Sequence, residues 1–207
     1  MPKRRFLFSA LLLLAVSVSL CSAISESEIQ RLARVMNWKA GQVIADVGAG
    51  EGEIGFAAAA AVGETGKVYL TEPDRGKVSA LQKDASRRNL KNTLILEAVE
   101  KETKLPSNCC DAIVLRRVYH HFTAPNEMDA SLLRSLRPGG LLAVIDFAPR
   151  KSLTESDPVK GVPSNRGGHG IPKKILVAEL AAAGFKLEKS FDDWPEDGYC
   201  VLFRKPL

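Results

Sequence analysis

The residues best placed to do chemistry in this chain are an acid and three alternating glycines, Asp46-Val47-Gly48-Ala49-Gly50-Glu51-Gly52. Glycine admits left-handed backbone and lets a ligand lie against bare peptide. An acid just before such a loop suits hydroxyls or an ammonium group and repels phosphate. Against that, Gly50-x-Gly52-x-x-Gly55 satisfies the dinucleotide fingerprint, with Glu72 about 20 residues further on, where a ribose-binding acid belongs. A nicotinamide oxidoreductase is therefore one reading of this stretch. The second chemical cluster is Tyr119-His120-His121-Phe122. An imidazole near neutral pKa can take a proton from a hydroxyl or amine, which makes His120 and His121 the catalytic candidates. Adjacent histidines are expected to point apart, and no third ligand follows at a regular spacing, so no metal site is expected. Tyr119, Asp146, Arg166 and His169 are the candidates for binding a reaction partner. The last two lie in a stretch over 148–170 carrying Gly161, Gly167, Gly168 and Gly170, a composition that suits a lid or a surface loop.

The elements that must position these groups alternate. The spacing predicts helices over 26–36, 53–62, 75–89, 125–136 and 172–183. It predicts strands over 42–47, 67–71, 93–98, 111–115, 141–147, 185–191 and 199–204. Ser25-Glu26-Ser27-Glu28 reads as a capping box for the first helix. Short, continuous apolar strands between helices predict an open α/β sheet covered on both faces. The connection between the last two strands, 192–198, is too short for a crossover helix, so that pair is predicted antiparallel. The glycine loop then lies at the carboxyl end of the first strand, where ligands bind in such sheets.

Several ordered motifs together resemble the class I S-adenosylmethionine-dependent methyltransferases. Asp46-x-Gly48-x-Gly50-x-Gly52 resembles that family's first motif. Glu72 ends the second strand as its ribose acid does. Leu105-Pro106 with Cys110-Asp111-Ala112-Ile113-Val114-Leu115 resembles its fourth-strand motif, and Arg137-Pro138-Gly139-Gly140-Leu141-Leu142 its turn into the fifth strand. The paired histidine after the fourth strand is similar to a subgroup acting on small molecules. The resemblance covers about residues 26–204. It implies a Rossmann-like seven-stranded, mostly parallel sheet with helices on both faces and an antiparallel last strand. It also implies S-adenosyl-L-methionine as cofactor and methyl transfer to an O, N or S atom of a small-molecule acceptor. Gly48, Gly50 and Gly52 would approach the methionine part and ribose, Asp46 would favour the cationic end, and Glu72 would accept bonds from both ribose hydroxyls. The chain departs from the family after the third strand, where the acid for the adenine amine falls on Ala98 or Val99. Glu100 is the substitute there. This departure also motivates a non-catalytic module that keeps the fold and binds cofactor weakly.

With 207 residues, 45% of them hydrophobic, the chain fits about one domain. Its net charge of +5 is concentrated at the N-terminus, where Lys3-Arg4-Arg5 precedes the first acid, Glu26. The rest is nearly balanced, which gives no reason to expect nucleic acid. Lys3-Arg4-Arg5, the uncharged run over 6–24 and Cys21-Ser22-Ala23 predict that residues 1–23 are a signal peptide or a membrane anchor, with 24–207 as the domain. Basic residues before the apolar run predict a secreted, periplasmic or membrane-anchored protein. Cys109 and Cys110 are expected to be a free, partly buried pair.

Overall fold

The computed structural model describes residues 26–150, 160–166 and 168–207. The predicted signal or anchor, the capping residue Ser25 and the hinge candidate Gly167 lie outside the described residues. No helix among those described is long and apolar enough to cross a membrane.

One seven-stranded sheet carries the chain, in the order β3-β2-β1-β4-β5-β7-β6. The strands are β1 (Val43–Val47), β2 (Lys67–Glu72), β3 (Thr93–Glu97), β4 (Cys110–Arg116), β5 (Leu136–Asp146), β6 (Lys186–Trp194) and β7 (Gly198–Arg204). The helices are α1 (Glu26–Val35), α2 (Glu53–Val62), α3 (Arg75–Arg87), α4 (Pro125–Ser135) and α5 (Lys173–Ala182). β1 to β5 pair in parallel, while β7 runs antiparallel to both β5 and β6. The central strands are buried on both faces because helices cover each side. One apolar core gathers Ile113, Leu115, Leu132 and Phe203, and the other Ile44, Val62, Leu70 and Val114. Alternate residues of β4 therefore feed opposite cores, as a pleated strand requires.

Local chemistry sets the helix ends. Asp74 caps α3 by accepting from the Lys77 amide at 2.9 Å. Pro125 opens α4, where its missing N–H costs nothing. Most boundaries shift by a residue or two, and two differ by more. The expected turn over 137–140 stays within β5 as an irregularity: Leu136 pairs Cys110, and pairing resumes at Leu141 with Ala112. Gly139 and Gly140 exchange backbone hydrogen bonds with Lys205, which keeps this segment in the sheet. The expected loop over 192–198 shrinks, because buried Trp194 still pairs Gly198.

The chain steps outward from β1 to β2 to β3 and then returns to β4, on the other side of β1. This reversal opens a crevice at the carboxyl ends of β1 and β4. The glycine loop leaves one of those strands and the histidine pair leaves the other.

Candidate active site

Gly48, Gly50 and Gly52 all adopt positive φ, at 73°, 54° and 79°. The turn at Gly48 packs the loop against the exit of β4: a Cβ there would lie 2.5 Å from Val118 Cγ2. Gly50 faces open space, with no atom of the described residues within 4 Å of where a Cβ would stand. Bare peptide is thus offered to a ligand at Gly50. The loop's amides are largely committed. Gly48 N and Ala49 N donate to Thr71 O at 2.8 and 3.0 Å, and Gly52 N to Ala49 O at 2.7 Å. Gly50 N donates to Glu72 Oε2 at 3.0 Å. A pyrophosphate requires such N–H groups to be free. Here a carboxylate holds the one beside the open space, which disfavours the dinucleotide reading.

A cavity of about 350 Å³ adjoins this loop, lined by Asp46, Gly50, Glu53, Lys77, Arg116 and Arg117 among others. Its lining carries both signs of charge, as a zwitterionic amino-acid end needs. A larger cavity of about 610 Å³ lies at the opposite strand ends, between Gly63, Lys67 and Asn92. It is remote from every candidate group.

Asp46 is buried, and its Oδ2 accepts from Gly55 N at 2.8 Å. Burial raises its pKa to about 7; the Gly55 amide lowers it, Glu72 raises it and Arg116 lowers it. Its direct partner is the first turn of α2, so it braces the loop from below. Glu72 is also buried, and its second oxygen accepts from Asp74 N at 3.3 Å. Glu100 is exposed, and its carboxylate accepts from Thr123 Oγ1, just beyond the histidines.

The segment after β4 curls into a short 3₁₀ turn, Tyr119–His121. The expected divergence of the adjacent imidazoles does not occur: their ring centroids are 3.9 Å apart. The tight turn, unlike a strand, does not alternate side chains across two faces. His120 is buried; its Nδ1 lies 2.8 Å from Asp146 Oδ1 and its Nε2 3.3 Å from His169 Nε2. His121 keeps an exposed edge, yet loss of water around the ring holds its pKa at about 4, followed by the charges of His120 and His169.

Three expected partner-binding residues are buried and bonded within the protein. Tyr119 is fully buried, with its hydroxyl 2.8 Å from Asp129 Oδ2 and 3.1 Å from Glu179 Oε2. Burial, then the two carboxylates, push its pKa far up. Asp146 has no exposed surface; its carboxylate receives the His120 and Phe147 amides as well as the His120 ring. It orients an imidazole instead of meeting a ligand. Arg166 is likewise buried, paired with Glu179 at 2.8 Å and set 5.5 Å from the Tyr119 ring. His169 is the member of the glycine-rich stretch that the fold brings to the histidine pair.

A methyltransferase-domain family model matches residues 39–184. This span contains the glycine loop, Glu72, the histidine turn and the His169 stretch. The chain belongs to the class I methyltransferase family. Among curated relatives, the ubiquinone/menaquinone biosynthesis C-methyltransferase of Escherichia coli (strain K12 / DH10B) is 28% identical over 114 residues, 52% of this chain. That match spans 43% of the relative, less than half of its length. A S-adenosylmethionine-dependent methyltransferase from Aquifex aeolicus superposes with a TM-score of 0.66 at 25% identity, covering 85% of this chain and 87% of that one. The [4+2]-cyclase SpnF superposes with a TM-score of 0.70 at 19% identity, covering 86% and 80%. The second likeness concerns fold alone, and it is a reminder that chemistry resides in the site.

The methyltransferase domain also uses residues that sequence reasoning did not single out. Arg116, on the cavity wall, meets Asp197 at 2.8 Å and Glu28 at 3.2 Å. Trp194 Nε1 donates to Glu28 at 2.8 Å. A charged residue in a three-residue turn such as Asp197 reads as solvated, and only tertiary contact reveals its burial. The Cys109 and Cys110 sulfurs lie 2.8 Å apart as free thiols.

Proposed function

We propose that this protein transfers a methyl group from S-adenosylmethionine to an O, N or S atom of a small-molecule acceptor. The observation that carries the reading is the junction at Gly48 and Val118. It sets a donor loop with an open Gly50 beside an imidazole oriented by a buried carboxylate. The residues fit the donor. Gly50 leaves room for close approach, Glu72 offers carboxylate oxygens for ribose hydroxyls, and the mixed-charge cavity suits the methionine end. We assign the adenine amine to Glu100, whose carboxylate accepts from Thr123 just past the histidine turn. When bound, S-adenosylmethionine supplies a methyl group on a sulfonium that needs no further activation. The chain's contribution is then position and exclusion of water. Asp146 accepts from His120 Nδ1, which fixes that tautomer and leaves the Nε2 lone pair facing His169.

Isothermal titration with S-adenosylhomocysteine tests the donor claim; a folded sample that shows no heat of binding rejects it. Incubating the chain and candidate acceptors with methyl-labelled donor then identifies the acceptor. We further propose that residues 1–23 deliver the domain to or across a membrane. The basic n-region and the uncharged run that follows support this reading. Fractionation of tagged cells with protease protection is the test, and a domain found only in the soluble cytosolic fraction overturns it.

A further inference from the structure

Orienting a single imidazole accounts for Asp146 and His120, yet the fold brings three imidazoles to this point. His120 and His121 come from the turn after β4, and His169 comes from the strap before α5. Their ligating nitrogens all lie within 4.8 Å of one another. The Nε2 atoms of His120 and His169 are 3.3 Å apart. Zinc–nitrogen bonds of about 2.0–2.1 Å at tetrahedral angles place ligand nitrogens about 3.3 Å from each other. The carboxylate behind His120 is the partner expected of a metal-bound imidazole, since it fixes the tautomer and raises ligand basicity. His169 is held by backbone: its carbonyl accepts from Arg150 N at 2.9 Å, and Ile171 N donates to Phe147 O at 3.0 Å. Gly170 permits this docking, because a Cβ there would lie 2.8 Å from Phe147 O. The Phe147 ring, 4.9 Å from His120 and 5.2 Å from His169, walls one side.

We propose that His120, His121 and His169 form a site for a divalent transition-metal ion of the zinc class, with Asp146 as its positioning residue. Imidazole ligands suit such ions, and three protein ligands leave a fourth position open. Its use rests on the methyltransferase reading: a hydroxyl, amine or thiol of the acceptor binds there and releases its proton to solvent. Methyl transfer then forms the bond to that heteroatom and leaves the donor sulfur as a neutral thioether.

The test uses untagged full-length chain stripped with a chelator and titrated with zinc chloride by calorimetry, with elemental analysis for stoichiometry. One zinc per chain at micromolar or tighter affinity is expected, and cobalt should give visible absorption bands of tetrahedral geometry. His121→Gln, at an exposed ring that folding can spare, should weaken zinc at least 10-fold. Asp146→Asn should weaken it about 10–100-fold. S-adenosylhomocysteine affinity should be unchanged in both, with folding checked by circular dichroism. Wild-type chain that binds S-adenosylhomocysteine but no stoichiometric zinc overturns the metal site and leaves the donor reading intact. Zinc binding without S-adenosylhomocysteine binding supports the site and removes the acceptor role given to its open position. Equal zinc affinity in wild type and His121→Gln overturns the ligand assignment.

Discussion

Glu72 has two tasks that substitution can separate. One oxygen holds Gly50 N at 3.0 Å and the other takes Asp74 N at 3.3 Å, so the carboxylate shapes the loop before any ligand arrives. Each oxygen keeps a further lone pair for a ribose hydroxyl. A hydrogen bond to a charged group is worth about 1.5–3 kcal/mol, so losing even one should weaken S-adenosylhomocysteine binding roughly 10–100-fold. Glu72→Ala should show this loss by calorimetry. Glu72→Gln, which keeps one acceptor, should lose less. If Glu72→Ala binds as tightly as wild type, the ribose assignment is wrong. The place of Glu72 beside the glycine loop was legible in the sequence because one helix and one strand separate the two. The roles of Tyr119 and Asp146 were not, since their positions beside the histidines say nothing about which way each side chain turns. Asp146 looked like a ligand-binding acid at a strand end until its carboxylate proved to be filled by His120.

At the level of elements, a buried ionic network ties the histidine turn to both helices on its face. Tyr119 from the turn reaches Asp129 on α4 and Glu179 on α5, and Arg166 from the strap pairs with Glu179. Asp129 Oδ1 has no hydrogen-bond partner among the described residues. Burial raises the Asp129 pKa from 3.8 to about 7; the Tyr119 hydroxyl lowers it, Glu179 raises it and Arg166 lowers it. The folded chain therefore holds a proton here that the unfolded chain has already released above pH 3.8. This group's contribution to stability is intact below that value and is lost as the pH rises through 7. Asp129→Asn removes the titration and keeps an acceptor for Tyr119. Its unfolding free energy should exceed that of wild type by a margin that widens from pH 4 to pH 8 and reaches on the order of 2–4 kcal/mol, read by chemical denaturation at each pH. A margin independent of pH would show that Asp129 does not titrate in this window.

The whole sheet was legible because its strands are short apolar runs and its helices begin and end on recognisable residues such as Pro125 and Gly63. Register and closure were less so. The pairing of Trp194 with Gly198 depends on what Trp194 meets, and that is Glu28, 166 residues away in the chain. Here the first helix and the last hairpin close over the rim of the donor cavity. Arg31 adds two hydrogen bonds to Asp193, and Arg116 joins Glu28 to Asp197. Burial raises the Glu28 pKa; Arg116 and the Trp194 N–H both lower it. Trp194→Phe keeps an aromatic ring but leaves the buried carboxylate one donor short, a loss of about 1–3 kcal/mol. For a domain of this size that is a fall of roughly 5 °C in melting temperature. The indole N–H favours the ionised carboxylate, so its removal raises the Glu28 pKa further. The deficit should therefore grow as the pH rises through that carboxylate's titration and shrink in acid. Thermal unfolding of wild type and Trp194→Phe at pH 5 and pH 8 measures both effects. Equal melting temperatures at pH 8 would mean that the indole N–H adds nothing to the hold of the first helix on the last hairpin.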